Sequence, residues 1–181
     1  ARPELPIEND YRGSDEAGAA SVARPTRVVF PNGLVVIFKE NRSNPTVAIH
    51  GLVRAGAIYD PPGRSGLANY VAAMLDRGTA TRTSLQIAEA IENVGASLEF
   101  DGGAETTFFT GNSLSEDLGA VLEVLADALR NPAFPEDQVE KARIELVNNV
   151  KIADQNTARV AARTANELIF PEGHPFHLSP I

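Results

Sequence analysis

After residue 25 the chain opens with short runs of β-branched and aromatic residues that predict strands. TRVVF and LVVIF flank Pro31-Asn32-Gly33, where Asn-Gly supplies the positive φ angles of a tight hairpin. The next run, TVAIHGLVRAG, has apolar side chains on both of its alternating faces, which predicts a strand inside a sheet rather than at its edge. Two further runs, SLEFDGG and ETTFFTGNSL, predict an antiparallel pair joined at Asp101-Gly102-Gly103.

Longer segments carry apolar residues at spacings of three and four, which is typical of helices that cover a core. The first runs from Ser65, near its cap, to Gly78, which ends it. The second runs from the N-cap Ser84 to Val94. Three more are predicted at residues 116–130, 135–153 and 157–169. This order of elements predicts an α+β fold, an antiparallel-rich sheet with helices packed on one side.

Residues 1–25 differ from the rest of the chain. They mix Pro, Gly, Ala and acidic residues without a sustained period of 2 or 3.6, which indicates a linker or a peripheral arm. They hold no basic segment followed by an apolar one, as a signal peptide would. An N-terminal Ala is compatible with a signal peptide that has been removed, and we expect a periplasmic or secreted location rather than a cytoplasmic one.

Composition narrows the class of protein. The 181 residues are 43% apolar, as in an ordinary soluble globular chain, and a chain of this length buries roughly 70% of its unfolded surface. A formal net charge of −8 argues against a nucleic-acid-binding surface, which needs clustered Lys and Arg. No apolar run approaches the ~18 residues of a membrane span. The lack of cysteine excludes disulfides, thiol nucleophiles and thiolate metal sites.

The first predicted helix, in the stretch SGLANYVAAMLDRGT, has two distinct stripes. One stripe is large and apolar and should face the core; its members are Leu67, Tyr70, Val71, Met74 and Leu75. The other stripe follows spacings of 3, 4 and 7 and consists of Asn69, Ala72, Ala73 and Asp76. This second face offers one amide, two methyl groups and one carboxylate.

Four segments, taken in order, resemble one known family. They are PNGLVVIFKEN, RAGAIYDPPGRSGLANYVAAMLDRGT, ENVGASLEF and NELIFPEGHPFHLSPI. They are similar to the N-terminal domain of the pitrilysin and insulinase family, which includes the mitochondrial processing peptidases and many bacterial zinc proteases. The resemblance covers residues 26–181 and implies the metallohydrolase domain of the processing-peptidase type. It also implies an N-terminal peptidase-like domain that is truncated before its C-terminal strands.

In active members of the family, the matching helix carries an inverted zinc motif, His-x-x-Glu-His. The resemblance places the first His on Asn69, the Glu on Ala72 and the second His on Ala73. The family's third metal ligand is a Glu from a later helix. The matching segment, EKARIELVNNVKI, places it on Asn149, with Asn148 as the alternative register.

The residues at these positions cannot perform the family's chemistry. A catalytic zinc takes three protein ligands with imidazole, thiolate or carboxylate donors. Ala offers no lone pair, and a neutral amide is a poor substitute for a carboxylate. Without zinc the pKa of a bound water is not brought near 7, and without the Glu no base removes its proton. The resemblance therefore implies a non-catalytic member with no cofactor of its own, in which zinc belongs to a partner.

Other titratable residues favour structural roles. We interpret His50 as a packed or edge residue of a strand. His174 and His177 flank a turn that the resemblance marks as structural. Asp76 could hold a stray cation, but a solvated or paired carboxylate is the better interpretation.

The remaining candidates are acidic and hydroxyl side chains at predicted helix starts. Glu136, Asp137 and Glu140 place negative charge in the first turn of a helix, which the helix dipole favours. Ser65 and Ser84 have cap positions and no His or Lys at a useful spacing, which argues against a serine hydrolase.

The resemblance leads to one functional hypothesis and two alternatives. We expect a non-catalytic subunit or domain that pairs with a zinc-bearing homologue to form a chamber for peptide or protein substrates. The first alternative is a peptide-binding or assembly module without a protease partner. The second is an active zinc metallopeptidase with unusual ligands.

Overall fold

The computed structural model describes residues 24–171, 174, 176 and 177, so the predicted arm lies almost wholly outside the described residues. The chain divides into two compact units between Asn44 and Pro45. Among the described residues, no helix has the length and apolar character that a membrane span requires.

The first unit contains the predicted hairpin. Strand β1, Thr26–Val29, pairs antiparallel with β2, Val35–Phe38. Gly33 has a φ of +86°, whereas Asn32 does not have a positive φ. The Asn32 side chain instead accepts a hydrogen bond from the Leu34 N–H at 3.1 Å. The hairpin is confirmed, and the left-handed conformation is restricted to the glycine because it has no Cβ to clash with the backbone.

The second unit contains a three-stranded antiparallel sheet in the order β3-β5-β4. Its strands are β3 (Thr46–Val53), β4 (Ser97–Gly102) and β5 (Thr107–Leu114). In this sheet β3 pairs with β5 alone, so the prediction that it lies inside a sheet is wrong. Apolar residues on both faces were interpreted as a sign that both faces are buried. One face of β3 is instead exposed and carries Ala48, His50 and Leu52.

Helices cover the other face of this sheet. The helices α1 (Leu67–Ala72), α2 (Ser84–Glu92) and α3 (Leu118–Arg130) surround two clusters of buried side chains. Ile49 of β3 and Leu98 of β4 pack against both clusters. The clusters consist of Leu75, Phe100, Leu125 and Ala128, and of Ile87, Ile91, Val121 and Val124. The predicted α+β fold is therefore confirmed.

Side-chain caps fix the starts of α2 and α5, and the bounds of α4 and α5 lie close to those predicted from the sequence. The N-cap of α2 is Thr83, not the predicted Ser84, because Thr83 and Gln86 exchange two hydrogen bonds in a capping box. Helix α4 spans Glu136–Asp154 and α5 spans Thr157–Ile169, close to the predicted bounds. The Asn156 side chain caps α5 by accepting from the N–H groups of Ala158 and Arg159.

A buried carboxylate fastens α3 to the loop that precedes α2. One oxygen of Asp127 accepts hydrogen bonds from the hydroxyls of Thr79 and Thr81, both at 2.6 Å, and from Arg82 at 2.9 Å. The other oxygen accepts from the Asn131 amide at 2.9 Å. The Thr79 hydroxyl, followed by the other donors, lowers the pKa of Asp127 well below its usual range.

We expect this cluster to make stability depend on pH. Because the folded pKa of Asp127 is lower than the unfolded value of about 3.9, its contribution is present above pH about 4 and is lost as the pH falls through the folded pKa. Asp127→Asn should therefore lower the free energy of unfolding at pH 7, and its deficit relative to wild type should shrink below pH about 4. Urea unfolding between pH 7 and 2.5 measures this difference.

A matched control is Glu123→Gln, since Glu123 is an exposed partner of Arg82 at 3.7 Å. Its effect on stability should be small at every pH because exposed ion pairs contribute little. A deficit for Asp127→Asn that stays constant down to pH 2.5 would contradict the assigned role of the charge.

Candidate functional site

The helix on which the resemblance places the zinc motif begins with a cap that local sequence signals did not predict. The predicted cap, Ser65, is exposed and outside the helix, and the N-cap is Gly66 with a φ of +94°. The carboxylate of Asp60 accepts hydrogen bonds from the N–H of Gly66 at 2.8 Å and of Ala68 at 2.9 Å. A negative charge at the start of α1 is favoured by the exposed N–H groups there.

The three motif positions of α1 have different environments. Asn69 is half-buried, Ala72 is only 1% exposed, and Ala73 is exposed. Asn69 lies against Gly102 of β4: a Cβ added to that glycine would lie 2.6 Å from the Asn69 Cα and 3.0 Å from its Cγ. The stripe of Asn69, Ala72 and Ala73 thus combines a half-buried, a buried and an exposed position and is not one open face.

Regular α-helix ends at Ala72, earlier than the predicted end at Gly78. The following N–H groups, those of Met74, Leu75 and Arg77, bond to carbonyls three residues back. Asp76 is exposed in this turn, but neighbouring protein atoms crowd its carboxyl and this partial burial raises its pKa. Among the described residues Asp76 belongs to no group of three His, Asp or Glu side chains that could hold a metal ion, which agrees with interpreting it as a surface carboxylate.

Two side chains connect this segment to α4. The Tyr70 hydroxyl donates to the Val139 carbonyl oxygen. Arg77 donates to both carboxylate oxygens of Glu145, at 2.6 and 3.3 Å, and its Nε donates to the Ala73 carbonyl at 2.8 Å. The guanidinium lowers the pKa of Glu145. The segment from Tyr70 to Arg77 therefore holds the first half of α4 in place.

The two candidates for the third ligand position lie on different faces of α4. Asn149 is seven residues after Ala142 and four before Ala153, both of which are buried, so it shares their face of the helix. Asn148 shares a face with the exposed Ile144 and Ile152 instead. Both asparagines are exposed. Helical spacing therefore favours Asn149 as the position on the inner face.

The residues at these positions do not fit a zinc ion. Asn69, Ala72, Ala73 and Asn149 supply no imidazole, thiolate or carboxylate, the donors on which zinc depends. Within residues 24–171 and the three described positions beyond, no three His, Asp or Glu side chains converge in a way that could hold a metal ion.

Two of the three histidines make local contacts after α5. His50 is exposed in the edge strand β3, as expected. The His174 ring stacks on Phe170 with 4.6 Å between ring centroids, and its Nδ1 accepts from the Phe176 N–H at 3.2 Å. His177 Nδ1 lies 2.7 Å from the Phe170 carbonyl oxygen. These contacts support a structural role for both histidines after α5.

The acidic residues at the start of α4 also follow the structural interpretation. Glu136 and Asp137 lie in the first turn, whereas Glu140 is one turn further and pairs with Arg143 at 2.6 Å. Asp137 accepts from Gln138 at 2.8 Å and pairs with Lys141.

A cleft of about 430 Å³ lies between the starts of α2 and α4. Its lining includes Thr79, Thr81 and Arg82, but none of the four motif positions. Those three side chains are already bound to Asp127, so a ligand that used them would compete with that carboxylate.

Comparisons with known proteins agree with the fold and with the resemblance. The chain is 31% identical over 125 residues to an uncharacterized zinc protease of Rickettsia bellii, covering 69% of this chain and 30% of that protein. It is 30% identical over 139 residues to a probable mitochondrial-processing peptidase subunit beta of Arabidopsis thaliana, covering 76% of this chain and 26% of that protein. The chain thus spans less than a third of the length of these curated relatives.

The backbone matches a solved structure of the same family. An inactive domain of peptidase M16 from Pseudomonas fluorescens superposes with a TM-score of 0.79 at 22% identity, covering 86% of this chain and 38% of that one. The profile of the family described as Insulinase (Peptidase family M16) matches residues 35–171. The chain therefore belongs to peptidase family M16, the insulinase family.

Proposed function

We propose that this chain is a non-catalytic subunit or domain of family M16 that pairs with a zinc-bearing homologue and forms part of a chamber for peptides. The observation that carries the proposal is the donor set of the motif helix. Asn69, Ala72 and Ala73 stand where zinc ligands and a general base are needed, and none can serve. The face of α1 that carries these residues then lines the wall of the chamber and takes no part in the reaction.

The comparisons support this proposal in two ways. One relative is named as subunit beta of a processing peptidase, that is, as one member of an assembly. A structural neighbour is an inactive domain of the same family. Zinc is then held by the partner alone, and the expected periplasmic or secreted location stays a prediction.

A peptide-binding module without a protease partner is the second candidate. It is supported by β3, which pairs with β5 on one side only and leaves the backbone groups of its other side without a strand partner in the described sheet. An extended peptide can add to such an edge through main-chain hydrogen bonds. Binding of peptides by the purified protein, with no co-purifying peptidase from the native source, would favour this candidate over the first.

Metal content provides a direct test of the non-catalytic proposal. After expression in zinc-supplemented medium and gentle dialysis, we expect the protein to contain far less than one zinc per chain, because the motif positions lack donors. Elemental analysis by mass spectrometry measures it. An active M16 peptidase treated in parallel is the control, and one tightly bound zinc per chain would contradict the proposal.

A further inference from the structure

The family's zinc site needs room for three longer side chains on α1, and that room is missing at its centre. Ala72, the position of the general base, is 1% exposed, and Met74 just beyond it is also 1% exposed. Protein interiors are close-packed, so a fully buried methyl group has neighbours on all sides. A longer side chain at position 72 is therefore expected to displace its neighbours.

The first ligand position is confined as well. Gly102 of β4 lies so close to Asn69 that even one added methyl group would collide with the Asn69 backbone and side chain. The backbones of α1 and β4 therefore approach each other with no side chain of β4 between them at this point. A larger side chain at position 69 would have to fit beside this close contact between the two backbones.

The same segment has a clear structural use. Toward the sheet it contributes Leu75 to a core cluster. Toward α4 it contributes the hydrogen bond of Tyr70 to Val139 and the ion pair of Arg77 with Glu145. The segment thus joins the sheet to α4, and Ala72 is buried within it.

We infer that α1 has been repacked as a structural helix, so that returning zinc ligands to it does not recreate a zinc site. This inference rests on the proposed non-catalytic function and goes beyond it. The proposed function requires only that the donors are missing, whereas the packing means that the three motif positions no longer share one open face.

The test of room uses methionine at neighbouring positions. Ala72→Met adds an uncharged chain of about the length of Glu, and we expect it to lower the Tm by about 5–10 °C through overpacking. Ala73→Met adds the same atoms at an exposed position and should change the Tm by less than about 2 °C. Equal Tm values for the two variants would overturn the inference, and failure of Ala72→Met alone to fold would support it.

The test of convergence uses metal binding. The triple variant Asn69→His, Ala73→His, Asn149→Glu keeps Ala72 and supplies the three zinc donors. Isothermal titration calorimetry of the folded variant with Zn²⁺ should show no more zinc binding than wild type. One zinc bound per chain with sub-micromolar affinity would overturn the inference. That result would leave the proposed function intact, since wild type would still lack the ligands.

Discussion

Peptide hydrolysis is expected only when the protein is purified from its native source and then mixed with a zinc-bearing homologue. Under the proposed function, Ala72 and Ala73 stand at the positions of the general base and a zinc ligand, so this chain is expected to supply neither the base nor a zinc-activated water. General bases alone contribute 10²–10⁴-fold to such reactions, so the mixture should exceed this chain alone by at least about 100-fold. Cleavage of a fluorogenic peptide library measures the rates.

The control for this experiment is a homologue whose motif Glu is replaced by Gln. It should still bind this protein but lose hydrolysis, which separates assembly from chemistry. Sedimentation of the two proteins together tests the pairing itself. The partner hypothesis is wrong if the homologue is fully active alone and does not sediment with this protein.

Gly56→Ala is expected to cause a large loss of stability, because an added Cβ would meet backbone atoms on a neighbouring loop. A Cβ at this position would lie 2.5 Å from both the Ala104 carbonyl oxygen and the Thr106 nitrogen. These backbone atoms cannot retreat, because the N–H groups of Ala57 and Ile58 bond to the same β4–β5 loop at 3.0 and 2.9 Å. We expect the free energy of unfolding to fall by about 3 kcal/mol or more, measured by urea denaturation.

Gly119→Ala is the matched control. Gly119 lies in α3 with no heavy atom within 4 Å of an added Cβ, so the same methyl group meets open space. Because Ala has the higher helix propensity, this variant should be up to about 1 kcal/mol more stable than wild type. Similar losses for both glycines would show that crowding at Gly56 is not the cause.

Local signals predicted much of the fold. The hairpin at Gly33, the strand pair β4–β5 and the long helices α4 and α5 all depend on residues that are close in sequence, and each was located to within one or two residues. The error at β3 has a different origin. Which strand occupies the centre of a sheet is decided by pairing partners, and alternation within one strand contains no information about them.

The contacts of the candidate site were less predictable. The spacing of Asn69, Ala72 and Ala73 predicted their common stripe, but not that the three positions differ in burial. Asp60 caps α1 from six and eight residues away, and Asp127 is nearly fifty residues from the Thr79 hydroxyl that it binds. A side chain that acts across such distances leaves no local pattern, although an acidic residue at an inward helical position such as 127 is itself a signal of buried partners.

In the order β3-β5-β4, the two edge strands of the sheet differ in how readily they can pair with a further strand. The β4 side carries the exposed carboxylates of Glu99 and Asp101, whereas β3 has no acidic or basic charge over Thr46–Val53 other than the imidazole of His50. Charged side chains along an edge oppose the addition of another strand, and an uncharged edge permits it. Polymerisation of this domain in concentrated solution would thus be directional, starting at β3, and a lysine at Ala48 would be the first substitution for improving solubility.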